Sequence, residues 1–209
     1  RKQLQTGLDE YVLSQQVNAD RVEAQLNLGL IQAAQGQGGP AEAAYRRALA
    51  LEPDFVPAYV NLADLYRQQG RDAEGERLLR QGMELAPQAA SLPYSMGLLL
   101  VREKRLDAAL APLGRAAELA PDQPRYAYVE ALALQGLERR EQALTVLAAA
   151  LERHPRDHDL LLAAATMSRD QGDSAAARTY AGRLYRAHPN AADAQALWAE
   201  LGSSGTGGK

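Results

Sequence analysis

The chain has 209 residues, 46% of them hydrophobic and 23% charged, with a formal net charge of −3. That is enough chain to bury a core, and its interspersed charges leave no basic footprint for nucleic acid or a membrane surface. The absence of cysteine excludes disulfides, thiolate metal sites and thiol nucleophiles together and leaves the redox compartment open.

No apolar run approaches the roughly 20 residues that span a bilayer, so membrane insertion is not expected. The opening RKQLQTGLDE has neither an initiator Met nor an apolar h-region, and the chain reads as a piece of a longer protein. Residues 3–17 place Tyr11 and Ser14 where a repeat's second helix would have them, so an orphan helix from an upstream unit is expected there. From Val22 onward one period governs the sequence: Pro53, Pro87, Pro121, Pro155 and Pro189 fall at intervals of 34. Self-similarity at such a period is the mark of a repeat architecture.

Repeats numbered 1 to 34 with the proline at 32 run over 22–55, 56–89, 90–123, 124–157 and 158–191. Small residues then fill three columns. Position 8 holds Gly29, Ala63, Gly97, Ala131 and Ala165; position 20 holds Ala41, Gly75, Ala109, Ala143 and Ala177; position 27 holds Ala48, Gly82, Ala116 and Ala150. Larger apolar residues stand between them at helical spacing: Leu28, Leu62 and Met96 at position 7, Tyr66, Leu100 and Leu134 at position 11, Tyr45, Leu79, Leu113 and Leu147 at position 24. Gly36, Gly70 and Gly172 mark a turn near position 15, and the proline ends the second helix. Each unit is therefore a helix hairpin that hides its apolar stripes only by stacking on its neighbours. Residues 192–201, with Leu197 and Trp198, are expected to form a closing helix and 202–209 a disordered tail.

This pattern, quoted best by AYVNLADLYRQQGRDAEGERLLRQGMELAP at 58–87, resembles the tetratricopeptide repeat (TPR) family. The resemblance implies an all-α, right-handed superhelical solenoid and a single domain over 1–201. A narrower resemblance links NADRVEAQLNLG, PRYAYVEALAL and HPRDHDLLLAAATMSRDQGD to the C-terminal TPR region of bacterial multihaem c-type cytochrome-like proteins. It implies a parent protein outside the cytoplasm; with no C-x-x-C-H here, no covalent haem is expected.

Departures from the pattern carry their own expectations. Lys104 and Glu138 replace the turn glycine and predict a different turn geometry. Leu184 and Ala181 exchange large and small at positions 27 and 24, a volume swap inside the fifth repeat. Pro57 and Pro93 fall in first turns, where proline is tolerated. Pro112 falls inside a second helix, where the missing N–H predicts a kink or a late start. Glu130 occupies a core-facing position 7, so its carboxyl is expected to be protonated, paired with an arginine, or turned toward a groove.

Convergent catalytic groups are not found. His154 and His158 have H-x-x-x-H spacing, but Pro155 between them points to capping or solvated histidines instead of a metal site. GQGGP at 36–40 lacks both the preceding strand and the following GK[ST] of a phosphate loop. The chain is expected to be non-catalytic, without cofactor or metal.

Binding is the expected role. In TPR proteins the first helix of each repeat lines a concave groove that commonly holds an extended peptide or a partner helix. At positions 5 and 9 this groove would present Leu26, Leu30, Asp64, Tyr94, Leu98, Tyr128 and Leu132, with Asn27 and Asn61 beside them and Arg67, Arg102 and Arg125 on the rim. The aliphatic members have a second reading, as packing against the next helix; Tyr94 and Tyr128 are better placed as surface anchors. The family's clamp for chaperone tails is not reproduced: the relevant positions read Leu26, Leu30, Asn61, Ser91 and Ser95, which keeps only the asparagine. The expected partner is a protein or peptide, with homo-oligomerisation through uncovered repeat ends as the alternative.

Overall fold

The computed structural model describes residues 21–203. The helix expected at 3–17 and the tail from residue 204 onward lie outside the described residues. Those residues form α1 (Val22–Ala34), α2 (Gly38–Leu51), α3 (Val56–Gln68), α4 (Asp72–Leu85), α5 (Ser91–Arg102), α6 (Leu106–Leu119), α7 (Pro124–Gly136), α8 (Arg140–Arg153), α9 (His158–Asp170), α10 (Ser174–Ala187) and α11 (Ala192–Ser203). The fold is all-α. It divides into two compact units, residues 21–99 and 100–203, with the division inside α5. The closing helix α11 continues through Gly202 and Ser203, two residues of the segment expected to be tail.

One backbone device closes every hairpin. Gln37 N–H donates to Gln32 O and Arg71 N–H to Tyr66 O at 2.8 Å; Arg105, Arg139 and Asp173 donate to Leu100, Leu134 and Ser168 at 2.9 Å. This is the six-to-one bond of a Schellman turn, and it needs a left-handed residue just before the donor. Gly36, Gly70 and Gly172 supply it with φ of 74°, 72° and 85°. Lys104 and Glu138 supply it as well, both at φ 60°, so the different turn geometry expected of them does not form. The hydrogen bond dictates the backbone, and the Cβ crowding of about 1 kcal/mol per residue is borne locally.

Of the two alternatives expected at Pro112, one is removed. α6 begins at Leu106 and runs unbroken to Leu119 with the proline inside it, so the late start does not occur. Proline deprives the Ala108 carbonyl of one intrahelical donor, a loss the rest of the helix tolerates here.

The small-residue columns mark helix contacts. In residues 21–99 a Cβ at Gly29 would lie 2.4 Å from Tyr45 Cε1, and one at Gly82 3.0 Å from the Tyr59 ring. Tyr45, Leu62, Leu65 and Tyr66 form a buried cluster with Leu26 packed half-buried against it. Leu28 departs from its expected packing role: it is 43% exposed, as is its α1 neighbour Ile31 at 57%. In residues 100–203 the buried cluster contains Leu147, Leu160, Leu161, Met167, Leu184 and Leu197. Ala181 and Leu184 are both fully buried, as a volume exchange requires. Trp198 stacks on Tyr185 at 6.3 Å and covers Gly182, whose added Cβ would sit 3.1 Å from the indole.

Candidate functional site

In residues 21–99 the first helices α1 and α3 bring several expected groove residues together. Leu30, Asn61 and Asp64 line a cleft of 240 Å³ with Ala33, Ala34, Tyr45, Leu65 and Gln68. Asp64 also borders a smaller crevice of 20 Å³ shared with Arg67, Ser95 and Leu98. Leu30 is exposed, Asn27 is exposed, and Leu98 and Tyr94 are half-buried. The polar groups are partly committed. Asn61 Nδ2 donates to Pro57 O at 2.8 Å within its own helix. Arg67 Nε donates to Asp64 Oδ1 at 2.9 Å, and Gln68 Nε2 to Asp64 Oδ2 at 2.7 Å. Gln68 and Ala34, absent from the expected set, occupy position 13, which faces the same side of the first helix.

Residues 100–203 present the stripe differently. Arg102, Arg125 and Leu132 are exposed, whereas Tyr128 is half-buried against the cluster around Leu161. Leu26 and Tyr128 thus share their surface with a core.

The histidines act as struts. His154 Nε2–H donates to Pro121 O at 2.9 Å and His188 Nε2–H to Arg156 O at 2.7 Å, each tying the end of one repeat to the end of the previous one. His158 lies 3.1 Å from Asp193 on α11 and meets the His188 ring edge-on at 5.1 Å. Burial opposes charge on His158, but its bonds to Asp159 and Asp193 outweigh that and raise its pKa. Among the described residues no group of three metal-ligating side chains converges. Gly38, Gly39 and Pro40 of the GQGGP stretch form the first turn of α2.

Glu130 lies in a second kind of cleft, framed by the second helices α6 and α8 and measuring 420 Å³. The arginine partner expected for it is not there: among the described residues its carboxylate has neither hydrogen bond nor ion pair. Burial, and then the Glu118 charge, raise its pKa above the ordinary carboxylate range.

The same repeat positions in residues 21–99 line a cleft of 500 Å³ with a different interior. Its Arg46, Tyr66 and Glu74 belong to a wider network: Glu42 accepts from Tyr66 Oη at 2.9 Å and from Arg71 Nη1 at 2.6 Å, and pairs with Arg46 at 2.8 Å. Arg46 Nη2 in turn donates to Tyr66 Oη at 3.0 Å, and Arg71 lies 4.3 Å over the Tyr66 ring while also binding Glu74. The Arg71 hydrogen bond is the main cause that holds Glu42 below the usual carboxylate range, against an opposing effect of burial.

Two tetratricopeptide repeat models match the sequence, one over residues 32–92 and the other over 128–192. The chain belongs to the tetratricopeptide repeat family. This is a protein-interaction fold and is generally non-enzymatic. Solved structures with the same fold include YrrB, described as a TPR protein with an unusual peptide-binding site: 19% identity, 89% of this chain and 96% of that one, TM-score 0.64. Pseudomonas aeruginosa pilF matches at 20% identity over 94% of this chain and 92% of its own, TM-score 0.65. Yeast Tom70 matches at 18% identity over 91% of this chain and 42% of its own, TM-score 0.74. No curated protein matches the sequence significantly. No helix among the described residues is long and apolar enough to cross a membrane.

Proposed function

We propose that this scaffold grips an extended peptide on the first-helix face of residues 21–99. The observation that carries the reading is the pair of crevices sharing Asp64, in which apolar Leu30 and Leu98 stand beside the polar edge of Asn61, Asp64 and Gln68. An apolar side chain of a strand-like peptide would fill the 240 Å³ cleft, and its backbone N–H groups would meet the Asp64 carboxylate and the amide oxygens. Arg67, already held by Asp64, would turn to a peptide carbonyl or carboxylate. Arg102, Arg125, Tyr128 and Leu132 form the corresponding face of residues 100–203. The test is selection of binders from a random peptide library, followed by affinity measurement with Leu30→Asp and Leu98→Asp variants. A loss of tenfold or more with either is the expected result; unchanged affinities would sink the assignment.

A second reading, pairing with another copy of the chain, draws on Leu28 and Ile31 of α1, which are 43% and 57% exposed. Sedimentation equilibrium separates the two readings. A monomer at high concentration removes self-association, whereas a dimer lost in Ile31→Asp supports it.

A further inference from the structure

The cleft around Glu130 has walls of unusually small side chains. Position 25 of the preceding repeat is Gly114, position 28 is Ala117, and Ala149 and Ala150 face them from α8. A Cβ at Gly114 would come within 3.2 Å of Glu130 Oε1, so the carboxylate rests directly on the glycine. In residues 21–99 position 25 is Arg46, whose side chain lines the equivalent cleft and carries a charge into it. The chain thus fills this place with its own arginine in one unit and leaves it open in the other, with a carboxylate at the opening. Glu118 at the edge adds a second carboxylate, paired with Arg115 at 3.6 Å, and the exposed Arg153 is the one cation lining this cleft.

A carboxylate that is half-buried beside alanines and has no partner loses hydration without gaining hydrogen bonds. A guanidinium restores both bonds at once. It remains charged at any ordinary pH, it is more weakly hydrated than an ammonium, and its planar fork matches a carboxylate bidentately. Its methylene stem covers apolar wall on the way in. We infer that the cleft framed by α6 and α8 receives an arginine side chain from a partner protein, with Glu130 as the carboxylate that binds it. This surface is separate from the first-helix face and stands or falls independently of it.

The probe is the peptide acetyl-Ala-Arg-Ala-amide, titrated into the full chain while the backbone amides of Gly114, Ala117 and Ala150 are followed by heteronuclear NMR. Saturable shifts at these amides, with a dissociation constant on the order of 1 mM or tighter, are expected. The same peptide with citrulline, a neutral shape match for arginine, should bind at least tenfold more weakly. So should the arginine peptide to Glu130→Gln and to Gly114→Arg, the latter supplying the side chain from within. Shifts that fail to saturate, equal binding of the citrulline peptide, or unchanged binding to Glu130→Gln would each overturn the inference. Agmatine provides the last arm: binding as tight as that of the peptide would assign the cleft to a small guanidine instead of a partner protein. The fold of each variant is checked by circular dichroism and thermal melting before titration.

Discussion

Residues 21–99 and residues 100–203 build one cleft from the same repeat positions and finish it in opposite ways. In the first, Arg46, Glu42, Tyr66, Arg71 and Glu74 satisfy one another across α2, α3 and α4, and Leu62 is buried beneath them. In the second, glycine stands where Arg46 stood and Glu130 where Leu62 stood, and nothing among the described residues answers the carboxylate. A closed set of charge pairs is a joint between repeats. An unanswered carboxylate over a glycine is a vacancy in that joint. The stack needs only the small-residue columns and the turns, so positions between them are free to diverge.

The sharpest way to break this comparison is to add one methyl group to each unit. Gly29→Ala should destabilise residues 21–99 by about 3 kcal/mol, because the new Cβ would lie 2.4 Å from a Tyr45 ring that is itself 1% exposed. Gly114→Ala should instead stabilise residues 100–203 by up to about 1 kcal/mol, since helix propensity improves and only the end of a flexible Glu130 must give way. Urea denaturation measures both; equal signs would erase the distinction.

Removing one carboxyl from each unit is the next test. Glu42→Gln should cost about 2 kcal/mol by leaving Arg46, Arg71 and the Tyr66 hydroxyl short of an acceptor. Glu130→Leu should gain about 1 kcal/mol by burying apolar area in place of a poorly hydrated carboxylate. The pH dependences run opposite ways. Glu42 has a lowered pKa, so its contribution is present above the ordinary glutamate value and lost as pH falls through the lowered one. The pKa of Glu130 is raised, so its contribution is full below the ordinary value and lost as pH rises through the raised one. Thermal melts of each variant against the parent from strongly acidic to neutral pH should show Glu42→Gln converging with the parent once pH falls below the lowered Glu42 pKa and Glu130→Leu diverging at the neutral end.

The smallest expected effect comes from exchanging turn residues. Lys104→Gly and Glu138→Gly should each stabilise residues 100–203 by about 1 kcal/mol, by relieving a side chain held at φ 60°. Gly70→Ala in the other unit should destabilise by a similar amount, because the same turn there depends on the freedom of glycine at φ 72°. Differential scanning calorimetry resolves shifts of that size.

Much of the architecture was legible before any coordinates. A 34-residue proline interval with small residues in fixed columns leaves little choice but stacked helix hairpins. The turn at Lys104 and Glu138 was misread because a missing glycine suggests a changed backbone. The six-to-one hydrogen bond is worth more than the crowding of one Cβ. The late start weighed at Pro112 fails for a related reason, since one lost bond does not delay a helix packed along its length. Glu130 is an anomaly in the sequence itself, and position 25 of the preceding repeat decides whether an arginine stands beside it. Gly114 written there was the available signal. Among the stripe residues, Leu26, Tyr94 and Tyr128 at position 5 are half-buried while Leu30 and Leu132 at position 9 are exposed, a difference that residue type alone does not show.

The recurring closures have a consequence for how such a chain changes over time. Each hairpin from the second onward begins after the same proline-bearing turn, such as Phe55 N–H to Glu52 O at 3.1 Å or Asp157 N–H to His154 O at 3.0 Å, and folds back at the same left-handed residue. A segment copied or deleted in frame with that 34-residue unit meets the same junction chemistry on both sides. Duplication and loss can therefore lengthen or shorten the stack without inventing a new boundary. Each copied unit is then free to keep its internal arginine or to give it up.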